Sequence, residues 1–389
     1  MKIAVNTRFL LPDHLEGIGW FTCETFRQLT RQHPEHEFHF FFDRSYSDTY
    51  LFSDNITPHV LQPPARHPVL WYWWFEWSVV RKLKQLQPDL FISPDGFLSL
   101  NTQIPTLLVI HDLAFEHFPS HIGKLARQYY RRYTPLFTQK AARIATVSEY
   151  SKQDIVSQYR VAPDKIDVVY NGSNGYYRAL SKEQQRNIRQ HLTNGKEYFL
   201  FAGALQPRKN VANLLRAFDQ FKQKTGSTTQ LILVGRKAWH YDGIMEAYNE
   251  MNDKADVQFL GHKNAVDLSG IMGAAKSLVY VSRFEGFGIP LLEAMQAEVP
   301  VITSNTSSMP EIAGEAAWLT DPYSVESIAD AMMKIDNDKK LRQQLVDAGK
   351  NQRQKFSWQQ TANELWESVE KTVYKREKSG LHFAGEASS

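Results

Sequence analysis

At 389 residues the chain is too long for one ordinary hydrophobic core, so two domains are the default. Lys plus Arg number 45 against 42 for Asp plus Glu, a near balance that excludes a nucleic-acid binder living off a basic field. The single cysteine, Cys23, excludes an intrachain disulfide and a cysteine-rich metal site, and a reducing cytoplasm is the natural setting.

In chain order, "MKIAVNTRFLLP" reaches Asn6 too soon for a signal peptide and reads as a first buried strand. The short apolar runs "KIAVNT", "FHFFFD", "DLFISP", "PTLLVIHD", "RIATVS" and "IDVVYNG" predict the strands of a first half. Helices fall between them, from Ile18 to Arg31 and from Lys124 to Ala142 among others. A second series follows in "YFLFAG", "QLILVG", "VQFLG", "SLVYVS" and "PVITSN", with helices from Asn210 to Lys224 and from Ser324 to Asp336. This alternation predicts an α/β protein of two doubly wound, Rossmann-like domains, each a parallel sheet covered by helices. Glycines and asparagines crowd together in "NGSNGYYRAL" and set the boundary. The N-terminal domain then spans 1–172 and the C-terminal domain 173–375, closed by helices of which the last is "SWQQTANELWESVEK". Residues 376–389 read as a flexible tail. No apolar run approaches the ~18 residues of a membrane span. Two such domains facing across a cleft would bind ligands at strand carboxyl ends, so motifs there carry the chemistry.

In "RFEGFGIPLLEAM", Glu285 ends a strand, and Gly286 and Gly288 leave backbone N–H groups uncovered before a helix that Pro290 opens. Glu293 lies about one turn inside that helix. Two fixed carboxylates suit a sugar's hydroxyls; a solvated turn followed by a surface glutamate would use the same letters. Arg208 and Lys209 follow the strand "YFLFAG", with Asn210 as N-cap of the next helix, and suit a diphosphate. A solvated Arg-Lys pair is the commoner fate of such a dipeptide. His111 and Asp112 end "PTLLVIHD", either as an acid–base pair without an accompanying nucleophile motif or as a hydrogen-bonded strand end. "EGIGWF", with Gly17 and Gly19, is not a dinucleotide fingerprint because position 22 is Thr; it reads equally as a helix-entry turn. The D-x-D string Asp336-Asn337-Asp338 lies in a charged helix junction away from strand ends, so no metal site is expected. "WYWWFEW" at 71–77, followed by Arg81, Lys82 and Lys84, fits a membrane interface. It fits equally a helix packed under the sheet with Glu76 and the basic residues outside. Aromatics on all sides exceed one buried face, so some are expected to remain exposed.

E-G-F-G-x-P-x-x-E at 285–293 resembles the signature of the retaining glycosyltransferases of family 4, which have the GT-B fold. "VIHDLAF", "TVSEYSKQDI", "VVYNG", "GALQPRKN", "NTSSMPEIAG" and "DP" also stand in the family's order, across nearly the whole chain. Val281 departs from it, standing where many members have a proline. The resemblance implies a transferase that needs no cofactor and no metal, with Arg208 and Lys209 taking the metal's place at the diphosphate. It would move a hexose from a nucleotide sugar to a saccharide or lipid-linked acceptor, in cell-surface polysaccharide or glycan synthesis. "HDLAFEHFP" is similar to bacterial mannosyltransferases, which implies GDP-mannose, with a UDP-hexose as the alternative donor. It further implies His111 at the donor sugar, Asp112 supporting its loop, and Gly17 and Gly19 near diphosphate and acceptor. The donor would also meet Gly203, Gly286, Phe287 and Gly288, with Glu293 on the ribose hydroxyls. Arg236, His262 and Lys263, in "VGRKAW" and "FLGHK", either meet the base and ribose or stay solvated. Glu285 is either the nucleophile of a double displacement or a positioning residue in a same-face route. The second is preferred, because no other acid stands placed as a base. A non-catalytic carbohydrate- or nucleotide-binding subunit of the same fold is the reading from another class, and a sugar-nucleotide epimerase a third. The setting expected is cytoplasmic, either free or, on the membrane reading of Trp71–Trp77, peripheral to the inner face of the membrane.

Overall fold

A computed structural model describes residues 1–11, 15–237 and 241–384. Ala238 and Trp239 of "VGRKAW" and the last five residues of the expected tail lie outside the described residues. The chain forms two compact units, one of residues Met1–Gly172 joined by the segment from Trp358 onward, the other of residues Ser173–Ser357.

The first unit holds strands β1 (Lys2–Asn6), β2 (Glu37–Phe42), β3 (Ile56–Val60), β4 (Leu90–Ser93), β5 (Thr106–Ile110), β6 (Arg143–Thr146) and β7 (Ile166–Val168). They lie in the order β3-β2-β1-β4-β5-β6-β7, every pair parallel. The second unit holds β8 (Tyr198–Ala202), β9 (Gln230–Val234), β10 (Val257–Gly261), β11 (Ser277–Tyr280), β12 (Val301–Ser304) and β13 (Ala317–Thr320). Their order is β10-β9-β8-β11-β12-β13, again all parallel. Each sheet grows outward from its first strand and then reverses, between β1 and β4 in one unit and between β8 and β11 in the other. Crossovers on opposite faces part at such a reversal and open a crevice at the strand carboxyl ends.

The inner strands are legible because helices cover both their faces. "YFLFA" and "QLILV" are buried at every position and read as unbroken apolar runs. The pattern predicts neither β3 nor β13. Both lie at sheet edges and are partly exposed, and β3 carries Pro58, which an edge strand tolerates.

The helix Trp358–Ala384 corrects two expectations: it packs on the first unit instead of closing the second, and it runs helical past residue 376. Its partners are distant in sequence. Trp366 stacks on His33 with centroids 3.6 Å apart, and Trp358 meets Phe21 edge-on. Ser368 donates to Asp167 at 2.8 Å and Thr361 to the Tyr170 carbonyl at 2.6 Å.

In the aromatic stretch, the helix Pro68–Trp73 passes through a π-turn at Trp74–Val79 into the helix Val80–Leu86. Trp74 and Phe75 are fully buried, and Trp71 packs against Phe97 and Tyr129. Glu76 is buried too, contrary to its expected place outside. Its carboxylate accepts from the Leu100 and Asn101 N–H groups at 2.8 and 3.1 Å and from the Ser99 hydroxyl. Tyr72, Trp73 and Trp77 stay exposed. Among the described residues no helix is long and apolar enough to cross a membrane.

Candidate active site

β8 and β11 flank the reversal of the second sheet, and the loops leaving them carry the charged residues singled out by the sequence. Arg208 and Lys209 sit in the single turn Pro207–Lys209 after β8, and Glu285 follows β11. Lys209 Nζ lies 2.6 Å from Glu285 Oε1, and Arg208 Nη1 lies 3.1 Å from Oε2. The Tyr280 hydroxyl and Ser282 Oγ also donate to Oε1, at 3.1 and 2.5 Å. Lys209 further donates to the Tyr280 hydroxyl at 2.5 Å and Arg208 to the Phe284 carbonyl at 2.6 Å. Only 6% of Glu285 is exposed. Burial alone would drive its carboxyl upward, but the Arg208 and Lys209 charges overcome that and hold it down at about 2. Burial and the Glu285 charge push the Tyr280 hydroxyl far up. Two cations thus share one ionised carboxylate in a preoriented cradle at the carboxyl ends of β8 and β11.

Neighbouring loops lock this cradle. Asn210 is not the side-chain N-cap the sequence predicts. It takes a left-handed backbone, φ 62°, makes no cap bond, and its Nδ2 donates to the Val281 and Pro322 carbonyls at 3.0 and 2.6 Å. The Ser308 hydroxyl donates to the Glu285 and Phe287 carbonyls at 3.0 and 3.1 Å, which holds the turn through Gly286. Phe287 is buried, its ring against Phe356. Gly288 caps the helix Ile289–Gln296 at φ 99°, a left-handed position that suits glycine. Within that helix Glu293 is buried against Tyr177. Burial raises its carboxyl to about 7, and the hydrogen bond from Tyr177 restrains the rise. Gly203 donates to the Val234 carbonyl at 2.9 Å, and a Cβ on Gly235 would fall 1.8 Å from the Gly203 oxygen, so the ends of β8 and β9 meet backbone to backbone. Arg236 and His262 are exposed just past β9 and β10, the next strands outward from β8, and Lys263 is half-buried. The D-x-D string serves structure. Asp336 accepts from Lys276 at 2.5 Å, and Asp338 caps the helix Lys339–Gln352.

Two family models match the chain in succession, "Glycosyltransferase Family 4" over residues 15–174 and "Glycosyl transferases group 1" over residues 183–352. The chain belongs to glycosyltransferase family 4. This glycosyltransferase is 29% identical over 278 residues to the O-antigen chain mannosyltransferase B of Escherichia coli, covering 71% of this chain and 73% of that one. Sucrose-phosphate synthase from Thermosynechococcus elongatus superposes with a TM-score of 0.76 at 17% identity, over 97% of this chain and 99% of that one. Anabaena HepE in complex with UDP-glucose gives 0.72 at 18% identity, over 95% and 100%. The architecture is the GT-B fold.

The glycosyltransferase's first unit holds His111, just past β5. Its Nε2 lies 2.8 Å from the Pro94 carbonyl, and its ring meets Phe21 edge-on at 5.0 Å. Burial lowers its pKa against the pull of that carbonyl, so the ring is neutral with its proton on Nε2, leaving Nδ1 as an acceptor. Asp112 accepts from the Ala114 N–H at 2.9 Å and so braces the loop. Gly17 and Gly19 both lie in the first turn of the helix Gly17–Gln32. A Cβ on Gly19 would fall 2.8 Å from the Phe9 carbonyl, while Gly17 meets nothing within 4 Å. Sequence reasoning missed Tyr280, Ser282, Ser308 and Tyr177, whose residue types carry no charge signal. It also missed the buried Arg8–Asp95 ion pair, just past β1 and β4 at the first sheet's reversal, with Arg8 lying 4.4 Å from the Phe97 ring centroid. Strand-end position was the signal that could have found that pair.

Proposed function

We propose that this family 4 glycosyltransferase is retaining and independent of metal. It moves a hexose, mannose from GDP-mannose in the first instance, to a saccharide or lipid-linked acceptor during cell-surface polysaccharide synthesis. The observation that carries the reading is the cradle in which Arg208 and Lys209 converge on Glu285. As the bond from the anomeric carbon to the phosphate oxygen breaks, negative charge gathers on the departing diphosphate. Two fixed cations stabilise it, the part a metal would otherwise play. A carboxylate held at about 2 and engaged by two cations and two hydroxyls is a weak base and an encumbered nucleophile. That favours the same-face route. The acceptor oxygen bonds to the anomeric carbon on the side the phosphate leaves, and the phosphate oxygen takes the acceptor's proton. Glu285 then positions the two cations. His111 Nδ1 accepts from a donor-sugar hydroxyl, and Glu293 and the Gly286–Gly288 turn serve the nucleotide, with Arg236, His262 and Lys263 toward its base.

The E. coli relative's mannosyltransferase name supports mannose. UDP-glucose bound to a protein of the same fold supports a UDP-hexose as the second reading. The protein works on the cytoplasmic side, meeting a lipid-linked acceptor through the exposed rings of the 71–77 stretch.

The test is donor hydrolysis without acceptor, run with EDTA present. GDP-mannose is expected to be cleaved slowly and to raise the melting temperature, and Arg208→Ala to lower turnover by about 10²–10³. No hydrolysis and no thermal shift with either nucleotide sugar, or activity abolished by EDTA, would overturn the reading.

A further inference from the structure

We propose that the first unit holds a site for a divalent transition-metal ion of the zinc type, with His33, Glu35 and His36 as its protein ligands. The three stand in "HPEH", the turn that leads from the helix Gly17–Gln32 into β2. Glu35 Oε1 lies 3.6 Å from His33 Nδ1 and 3.4 Å from His36 Nε2, and one ligand atom of each residue falls within 4.8 Å of the other two. A direct histidine–carboxylate contact closes to about 2.7–2.9 Å, as His117 and Asp154 do at 2.8 Å. The separations in the turn are wider. They match the edge of a coordination tetrahedron, about 3.4 Å long when each metal bond is about 2.1 Å. The three atoms are therefore spaced for an ion between them.

Neighbouring groups hold the turn in this shape. Asn55 Nδ2 reaches the Thr30, His33 and His36 carbonyls at 3.0, 3.1 and 3.0 Å, which pins the backbone at both histidines. Both imidazoles stack on Trp366, with centroids 3.6 and 5.2 Å from its own, and their planes differ by 5°. The Met1 amino nitrogen lies 3.1 Å from His36 Nδ1, which leaves Nε2 as the ring nitrogen turned to Glu35. The ligand atoms select the ion. Two imidazole nitrogens and one carboxylate oxygen suit zinc, whereas magnesium and calcium take oxygen ligands. Glu35 is exposed, so an ion can enter from solvent and a water can complete the four ligands. The turn precedes β2 while His111 follows β5 of the same parallel sheet, so the two stand at opposite ends of it. The ion would fasten the turn against the C-terminal helix and take no part in sugar transfer. The inference therefore goes beyond the function proposed above.

Calorimetric titration of the untagged full chain with ZnCl2, after EDTA treatment and desalting, tests it. One ion per chain is expected to bind with a dissociation constant of about 1 μM or lower and to raise the melting temperature, while MgCl2 does neither. Glu35→Gln, at an exposed position, should bind zinc at least about tenfold more weakly and keep the wild-type melting temperature without the ion. The H33Q/H36Q double variant should lose the site. His59→Gln, in the other close histidine pair of this unit, should leave it intact. No zinc binding by the wild type would overturn the proposal. So would wild-type affinity in both Glu35→Gln and H33Q/H36Q, or binding that His59→Gln alone removes. Donor hydrolysis is expected to run alike with and without the ion. Hydrolysis without zinc binding condemns this site alone; zinc binding without hydrolysis condemns the transferase reading alone.

Discussion

Glu285 and Glu293 belong to one short motif, yet their surroundings drive their carboxyls apart, to about 2 and about 7 from a common starting value of 4.5. For Glu285 the folded value lies below the unfolded one, so the stability it adds is whole above pH 4.5 and is lost as pH falls toward 2. For Glu293 the folded value lies above the unfolded one. Its contribution is whole below pH 4.5 and is lost as pH rises through about 7. Urea unfolding across this range separates the two. Glu293→Gln should remove the decline between pH 4.5 and 7, and Glu285→Gln should flatten the acid limb below it. Glu285→Gln should also cost about 3–5 kcal/mol near neutrality, because two partly buried cations lose their shared, buried anion. Curves parallel to wild type would remove these roles. Arg208, Lys209 and Glu285 were legible because charged residues at strand ends announce themselves. Tyr280 and Ser282 were not, because a strand terminus uses such residues everywhere.

Two loops from neighbouring strands become one site only if something fixes their separation, and Asn210 does so. Its buried amide ties the loop after β8 to carbonyls past β11 and β13. Asn210→Ala takes its donor from both carbonyls, leaving that of Pro322 only the Asn213 amide at 3.2 Å, and forces a left-handed alanine, at about 2–4 kcal/mol in stability. Asn210→Gly keeps the backbone and loses only the hydrogen bonds. Melting temperature should therefore fall more for alanine than for glycine, and turnover should fall in both; equal melting in all three proteins would dismiss the tie. The letters suggested a helix cap here, since asparagine before a helix is ordinarily one. Tertiary demand for a donor between two loops decided otherwise. The same limit hid β3 and β13. An edge strand, half solvated and short, lacks the continuous apolar run that betrayed β8 and β9.

Across the whole molecule, the chain leaves the first unit after Gly172 and returns to it at Trp358. An amphipathic helix at the C-terminus is visible in the sequence, but its partners Phe21, His33 and Asp167 are not, because they stand hundreds of positions away. Ending the chain at Ser357 should therefore weaken the first unit. Limited proteolysis with mass spectrometry is expected to find early cuts within residues 1–172, with 173–357 resistant and still protected by nucleotide. Early cuts in 173–357 instead would mean that the helix supports the second unit.

That return has an evolutionary side. A stretch entered once and left once, with its own sheet and its own cradle, can be exchanged by recombination at two junctions without disturbing the host. The proposed choice of donor, which rests on the Arg208–Lys209–Glu285 cradle, would travel with that stretch.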